Sequence, residues 1–189
     1  MKLVTADRPT KTIPPEPVEE KQDIKLFVRP GVAEDLVLLN SWFQNPVVNR
    51  FSQMPKSWSE SLRWWRGLGQ NTVISMVVLL EKDDPMSFYC GRSIGYIEWS
   101  HLDQDLPFLW IVVGDWSLSA MGIGSKMFEM AGEQLFKLKK HGRFYSIVHP
   151  EHKIALGFAQ KYQAEDIIKE ILPTEKGWIK ITGDYGCIE

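Results

Sequence analysis

The sequence predicts an α/β protein built on one mixed sheet, and three observations predict it. Short apolar segments with strand character alternate with longer segments of helical period. Three strand segments, 71–82, 93–100 and 108–114, follow one another directly, which is the pattern of an antiparallel meander. Residues 108–148 then read strand, helix, strand, the signature of a right-handed parallel crossover. A doubly wound nucleotide fold needs several such units, and this chain has one clear example. The predicted order is strand, two helices, meander, helix, strand, helix and two strands, with helices on both faces of the sheet.

Each element has a local reason. Residues 1–22 are polar, carry prolines at 9, 14, 15 and 17, and read as a flexible leader before a single domain at 23–189. "IKLFVRP" (24–30) is a strand stopped by Pro30, "VAEDLVLLNSWF" (32–43) an amphipathic helix, and "NPVVNRF" a loop. Helix 57–69 opens on the capping pair Ser57 and Glu60, with Leu62, Trp65 and Leu68 or Gly69 as its stripe and Trp58 and Trp64 off it. Segment 71–82 is apolar nearly throughout, so both its faces should be covered. Residues 83–92 form a hairpin connection. In 93–100, alternation puts Ile94, Tyr96 and Glu98 on one face and Gly95, Ile97 and Trp99 on the other. The long helix, about 120–139, should bury Ile123, Met127, Met130 or Ala131, Gln134 or Leu135, and Leu138, then stop at Gly142 behind a run of lysines. After strand 143–149, Pro150 suits the first position of helix 150–162, whose apolar face is Ile154, Ala155, Phe158, Ala159 and Tyr162. Segments 165–172 and 178–183 close the chain as a strand pair.

Composition narrows the function. A net charge of -2, from 22 basic and 24 acidic residues, gives no pull toward nucleic acid or an anionic membrane. Cys90 and Cys187 make no disulfide framework, and the four histidines show no zinc spacing, so no metal is expected. With no apolar signal core in "MKLVTADRPTKTIPP" and no membrane-length apolar run, a cytoplasmic setting is expected. Eight tryptophans point to an aromatic core, an aromatic-lined cleft, or both.

The informative stretch is "DWSLSAMGIGSK", where Gly122 and Gly124 open the long helix. Glycine is a poor helix former, so two in the first turn need a reason. Either they relieve crowding against the sheet, or they let an anion reach the free amides of the helix start. Ser119 and Ser125 add hydroxyls, and Lys126 a charge. The spacing matches neither the dinucleotide turn nor a phosphate loop.

"VVGDWSLSAMGIGSKMFEMAGEQLF" resembles the cofactor motif of the GNAT superfamily of acetyl-coenzyme A-dependent N-acyltransferases, Q/R-x-x-G-x-G/A. The motif falls on Ser119, Ala120, Met121, Gly122, Ile123 and Gly124, with Ser119 in place of the usual Gln or Arg. "VHPEHKIALGFAQKYQAEDI" resembles the family's later motif, with His152 at the Asn position, Ala159 where Tyr is common, and Gln163–Ala164 in place of Gly-Phe. The resemblance covers about residues 23–183. It implies a GNAT-like fold with a splayed parallel strand pair and acetyl-CoA as cofactor. The implied reaction is direct acetyl transfer to a primary amine of a small molecule or peptide. A homodimer is common in the family. By the same resemblance, backbone amides at 119–124 with Ser125 hold the pyrophosphate. Trp110, Ile111, Val112 and Val113 hold the pantetheine and acyl group, with His152 and Phe158 alongside. Two alternatives stay open: a related domain that binds an acyl-CoA without turnover, and a structural or interaction module.

For the chemistry, Glu98 is the candidate base, because it breaks an apolar run in the strand beside the cofactor strand. The other reading is an edge residue paired with Arg92 or Arg143. His101 is a second candidate base or a surface turn residue. Tyr162 can reach the face where the family's tyrosine sits and act as the acid, or pack in the core; Tyr145 is an alternative acid. Asp115 either orients the acceptor amine or caps a turn. Trp42, Phe51, Trp58, Trp64 and Trp65 are candidate acceptor walls, and "LDQD" (102–105) is an acidic rim or a solvated turn. The acceptor stays open between peptide, aminoglycoside, polyamine and amino acid.

Overall fold

Pro30 ends the first strand, and the chain turns at once because one buried carboxylate ties strand to helix. Asp35 accepts two hydrogen bonds from Arg29 at 2.7 and 2.6 Å and one from the Val32 amide at 2.9 Å. The pair holds the Asp35 carboxyl below its ordinary range against burial that pushes the other way. The computed structural model describes residues 25–52, 54–80 and 91–186. The leader 1–22, nearly all of the 83–92 connection and both cysteines lie outside the described residues.

Among the described residues seven strands form one sheet: β1 (Lys25–Pro30), β2 (Val73–Leu80), β3 (Arg92–Ser100), β4 (Phe108–Val113), β5 (Arg143–Val148), β6 (Ile168–Pro173) and β7 (Ile179–Asp184). Their spatial order is β1-β2-β3-β4-β5-β7-β6. Every neighbouring pair is antiparallel except β4 and β5. The helices are α1 (Leu36–Gln44), α2 (Pro46–Asn49), α3 (Trp58–Gly67), α4 (Ile123–Lys139) and α5 (Lys153–Ala164). This is the mixed α/β architecture expected: a meander, a single parallel crossover through α4, and helices on both faces.

Two apolar clusters lie on opposite faces. One joins Ile97 and Trp99 of β3 to Ile123, Met127, Phe128, Ala131 and Leu135 of α4 and to Ala159 and Tyr162 of α5. The other joins Leu39, Trp42 and Phe43 of α1 to Ile74, Met76, Tyr96 and Val112, with Trp64 and Trp65 of α3 packed against it. Among the described residues no helix is long and apolar enough to cross a membrane.

Several local expectations are corrected. A bulge between Val77 and Val78 pairs β3 with one residue to spare, so Ile94 joins the α4 face instead of sharing the Tyr96 face. Within "NPVVNRF", Asn45 caps the one-turn helix α2 by accepting from the Val47 amide at 2.9 Å. Ser57 caps α3 as expected, but Glu60 accepts from the Lys56 amide, one residue earlier than the capping box requires. The buried position of α3 is Ser61, whose hydroxyl donates to Asn40 at 2.9 Å, while Leu62 is only half-buried. A 3-10 turn (Trp116–Met121) precedes α4, which ends at a left-handed Lys140 rather than at Gly142. Helix α5 starts at Lys153 behind the cap residue His152 rather than at Pro150, and Ile154 and Leu138 are exposed.

Two glycines are required by close approach. A Cβ on Gly95 would strike the Val112 carbonyl, and one on Gly114 would lie in the Trp42 indole. We expect Gly95→Ala and Gly114→Ala each to destabilise the fold by about 1–3 kcal/mol. The check is a lower urea midpoint at unchanged slope.

Candidate active site

The parallel strands β4 and β5 pair at one point only, Phe108 with Tyr145, where the Tyr145 amide donates to the Pro107 carbonyl at 2.9 Å. Beyond it β4 pairs with β3 and β5 with β7, but not with each other. The remaining β4 residues, Leu109–Val113, therefore turn alternate amides and carbonyls into a wedge between diverging strands. By that alternation Ile111 and Val113 turn their backbone groups into it, whereas Val112 turns its own toward β3, its carbonyl against Gly95.

The far end of β4 leads into the glycine turn. The Gly114 and Asp115 amides both donate to the Ile94 carbonyl, at 2.8 and 2.9 Å, and bend the chain out of the sheet. Asp115 then caps the 3-10 turn, accepting from the Ser117 amide at 3.1 Å, and pairs with Arg92 at 3.1 Å. Ser119, Ala120 and Met121 complete that turn, and Gly122, left-handed at φ 74°, joins it to α4. The Ser125 and Lys126 amides bond to the Gly122 carbonyl, so those of Ile123 and Gly124 precede the ladder of α4. A Cβ on Gly122 or Gly124 would meet nothing within 4 Å. Crowding against the sheet therefore does not explain the pair. Gly122 answers to its backbone angle, whereas the bare Gly124 leaves room outside the protein's own atoms.

Glu98 lies on β3 opposite Ile74 and Trp110, in the interior of the sheet and on the Tyr96 face. Burial pushes its carboxyl up to about 7, opposed by a hydrogen bond with Ser100. Its expected alternative partners are engaged elsewhere, Arg92 with Asp115 and Arg143 with Asp105. Next to it runs an aromatic band that sequence reasoning did not assemble. The rings of Phe108 and Trp110 lie 5.7 Å apart, and those of Phe108 and Tyr145 5.2 Å. His101, left-handed at φ 56°, brings Nδ1 to 2.9 Å from the Tyr145 hydroxyl. The register of β3 against β4 carries a partial signal for this band, since it aligns Glu98 with Trp110; the His101 turn carries none.

The other expected residues are dispersed. Tyr162 is buried on the opposite, α4/α5 face, its ring 4.6 Å from those of Phe128 and Phe158 and its hydroxyl without a partner. Nδ1 of His152 accepts from the Ala155 amide at 3.4 Å, and its ring lies 4.9 Å from Phe51. Burial, with help from His149, lowers its basicity. Trp42 is buried over Gly114, Trp65 packs on the α1 cluster, and Trp58 is exposed. A hollow of about 450 Å³ opens between the α2–α3 loop and α3, lined by Ser52, Met54, Pro55, Lys56, Glu60 and Trp64. The Tyr96 hydroxyl donates to the Met54 sulfur at 3.7 Å, which connects that hollow to the Glu98 strand. Among the described residues no group of three His, Cys, Asp or Glu side chains is placed to hold a metal.

Because folding raises the Glu98 pKa from 4.5 to about 7, the folded state holds its proton more tightly than the unfolded chain. That stabilisation is complete below pH 4.5 and lost as pH rises through 7, about 3 kcal/mol in all. Glu98→Gln should flatten this part of the stability–pH curve, measured by urea unfolding between pH 4.5 and 8.

No family model matches the chain. An uncharacterised protein of Methanocaldococcus jannaschii, MJ1062, is 27% identical over 106 residues, which is 54% of this chain and 20% of that protein. The chain thus aligns with about a fifth of that relative. A domain of known structure from M. jannaschii superposes with TM-score 0.72 at 20% identity, covering 86% of this chain and 99% of the domain. Aminoglycoside acetyltransferase AAC(6')-Ib, solved with coenzyme A and kanamycin, superposes with TM-score 0.66 at 15% identity, covering 85% and 95%. Spermidine N-acetyltransferase from Vibrio cholerae, solved with coenzyme A and spermine, gives 0.67 at 13%, covering 84% and 95%.

Proposed function

We propose that this chain, which has the fold of the GNAT acetyltransferases, is an acetyl-CoA-dependent N-acetyltransferase acting on a primary amine. One observation carries the reading: on its β5 side, β4 runs unpaired from the single Phe108–Tyr145 pairing toward a helix start where a Cβ on Gly122 or Gly124 would meet nothing within 4 Å. The parts fit the cofactor's parts. Amide donors and the helix dipole at the start of α4 suit a diphosphate, and an unpaired strand edge suits the amides of pantetheine.

When bound, acetyl-CoA supplies an activated acetyl thioester. Glu98 accepts the proton that the acceptor amine gives up, directly or through water. With a pKa near 7 it is both sufficiently ionised and sufficiently basic at neutral pH. Tyr145, held by His101 at the closed end of the wedge, donates the proton that the departing sulfur takes up. It replaces Tyr162 in this role, because Tyr162 is sealed among Phe128 and Phe158 on the other side of the sheet. Backbone amides of β4 polarise the acyl carbonyl.

A second reading, an acyl-CoA-binding domain without turnover, is favoured by Ala159, buried where the family resemblance leads one to look for a tyrosine. Thiol release from acetyl-CoA in the presence of a panel of amines separates the two.

Gly124→Leu should leave folding intact or stabilise it by about 0.5–1 kcal/mol, since leucine is the better helix former and meets open space. The same change should weaken coenzyme A binding at least 10-fold by calorimetry. Unimpaired binding would remove α4 as the anchor. Glu98→Gln should lower kcat about 10²-fold or more with the KM for acetyl-CoA unchanged. Wild-type kcat/KM should climb with pH to a plateau above about 7, and the variant should lose that limb; retained turnover excludes Glu98 as base.

A further inference from the structure

Two cations on the α1/α3 side of the sheet have no role in the account above. Arg50 follows α2 and Lys56 precedes α3, and both line a second hollow of about 340 Å³ with Phe43, Gln44, Pro46 and Asn49. That lining holds two positive charges and no carboxylate. Among the described residues neither side chain has an ion-pair partner. The nearby Glu60 forms no salt bridge with either, and one of its carboxylate oxygens accepts the Lys56 backbone amide at 2.6 Å.

The backbone carrying these charges is tied in place. Asn49 donates its side-chain amide to the Phe43 carbonyl at 2.6 Å, and Ser52 donates to the Asn49 side chain at 2.5 Å. The Arg50 guanidinium sits 5.0 Å from the centre of the Phe51 ring, which itself lies against His149 and His152. Both residues line the same hollow, and an anion held there would be attracted by both charges. A guanidinium and an ammonium are each suited to the oxygens of a carboxylate or a phosphate. The hollow is on the Glu98 side of the sheet, since its wall residue Phe43 lies 6.1 Å, ring to ring, from Tyr96, two residues before Glu98 on β3.

We propose that Arg50 and Lys56 form a recognition site for an anionic oxygen group, carboxylate or phosphate, carried by the acceptor amine. As a statement about the acceptor it rests on the acetyltransferase reading. It sets this chain apart from the neighbours solved with kanamycin and spermine, both polycations. On the rim of "LDQD", Asp105 is already paired with Arg143 at 2.6 Å.

The test is calorimetric titration of the full chain with inorganic phosphate, succinate and spermine, for wild type and the Arg50→Ala/Lys56→Ala double variant. Arg50→Gln serves as a milder companion, and unfolding midpoints confirm that all are folded. The expected result is saturable binding of at least one anion, weakened 10-fold or more in the double variant, with no spermine binding. Which anion binds separates carboxylate from phosphate. The difference between proteins isolates this hollow from the α4 turn. Coenzyme A affinity should be equal in both. Equal anion binding by wild type and variant, or none by either, overturns the proposal. A 10-fold loss of coenzyme A affinity in the variant also overturns it, by assigning the cations to the cofactor. Failure of the wild type itself to bind coenzyme A would instead sink the acetyltransferase reading and leave the anion comparison standing.

Discussion

Much of the molecule is organised around two parallel strands that meet once and then part. A parallel pair normally continues as an evenly spaced ladder, and β4 and β5 forgo that ladder after Phe108 and Tyr145. The cost is a row of main-chain donors and acceptors without strand partners, about 0.5–1.5 kcal/mol for each hydrogen bond not made. Such an opening persists only if the strands are held from outside. On one side β3 binds β4 along its whole length, and on the other β7 binds all six residues of β5. The wedge is therefore a seam between two well-formed half-sheets rather than a frayed edge.

The packing on each face keeps the seam open. α4 and α5 lie on the same face and share one aromatic cluster, in which Phe128 touches Phe144, Phe158, Tyr162 and Tyr185. That cluster joins β5 to the helices. On the other face Trp42 lies against the backbone of Gly114 and fixes where β4 ends. The two hydrogen bonds that Gly114 and Asp115 donate to the Ile94 carbonyl then direct the chain toward the start of α4. Position and direction of the glycine turn thus follow from packing in two separate cores.

Legibility differed by residue. Gly122 and Gly124 stood out because nothing in helix energetics favours them, and the open space around them agrees with a reason outside the helix itself. Glu98 stood out as a charge in an apolar run, and its interior place between Ile74 and Trp110 explains its raised pKa. Tyr145 and His101 did not stand out as a pair, because their contact depends on a left-handed residue and on the single β4–β5 pairing. Ile94 was placed on the wrong face because a bulge shifts alternation by one residue, and a bulge depends on the partner strand. Arg50 and Lys56 carry no sequence signal of their own, since what puts them at one hollow is α2 and the side-chain bonds of Asn49.

The sequence alone determined the order of the strands and longer helices, the antiparallel meander, the one crossover and the two glycines that open α4. These depend on short-range periodicity and on the intrinsic preferences of glycine, proline and capping residues, which neighbours in the chain reveal. Tertiary structure decided how far β4 and β5 stay paired, which side of the sheet Glu98 and Tyr162 occupy, and how basic Glu98 is. Those properties are set by groups distant in sequence, through packing, register and loss of water, and no local pattern of residues encodes them.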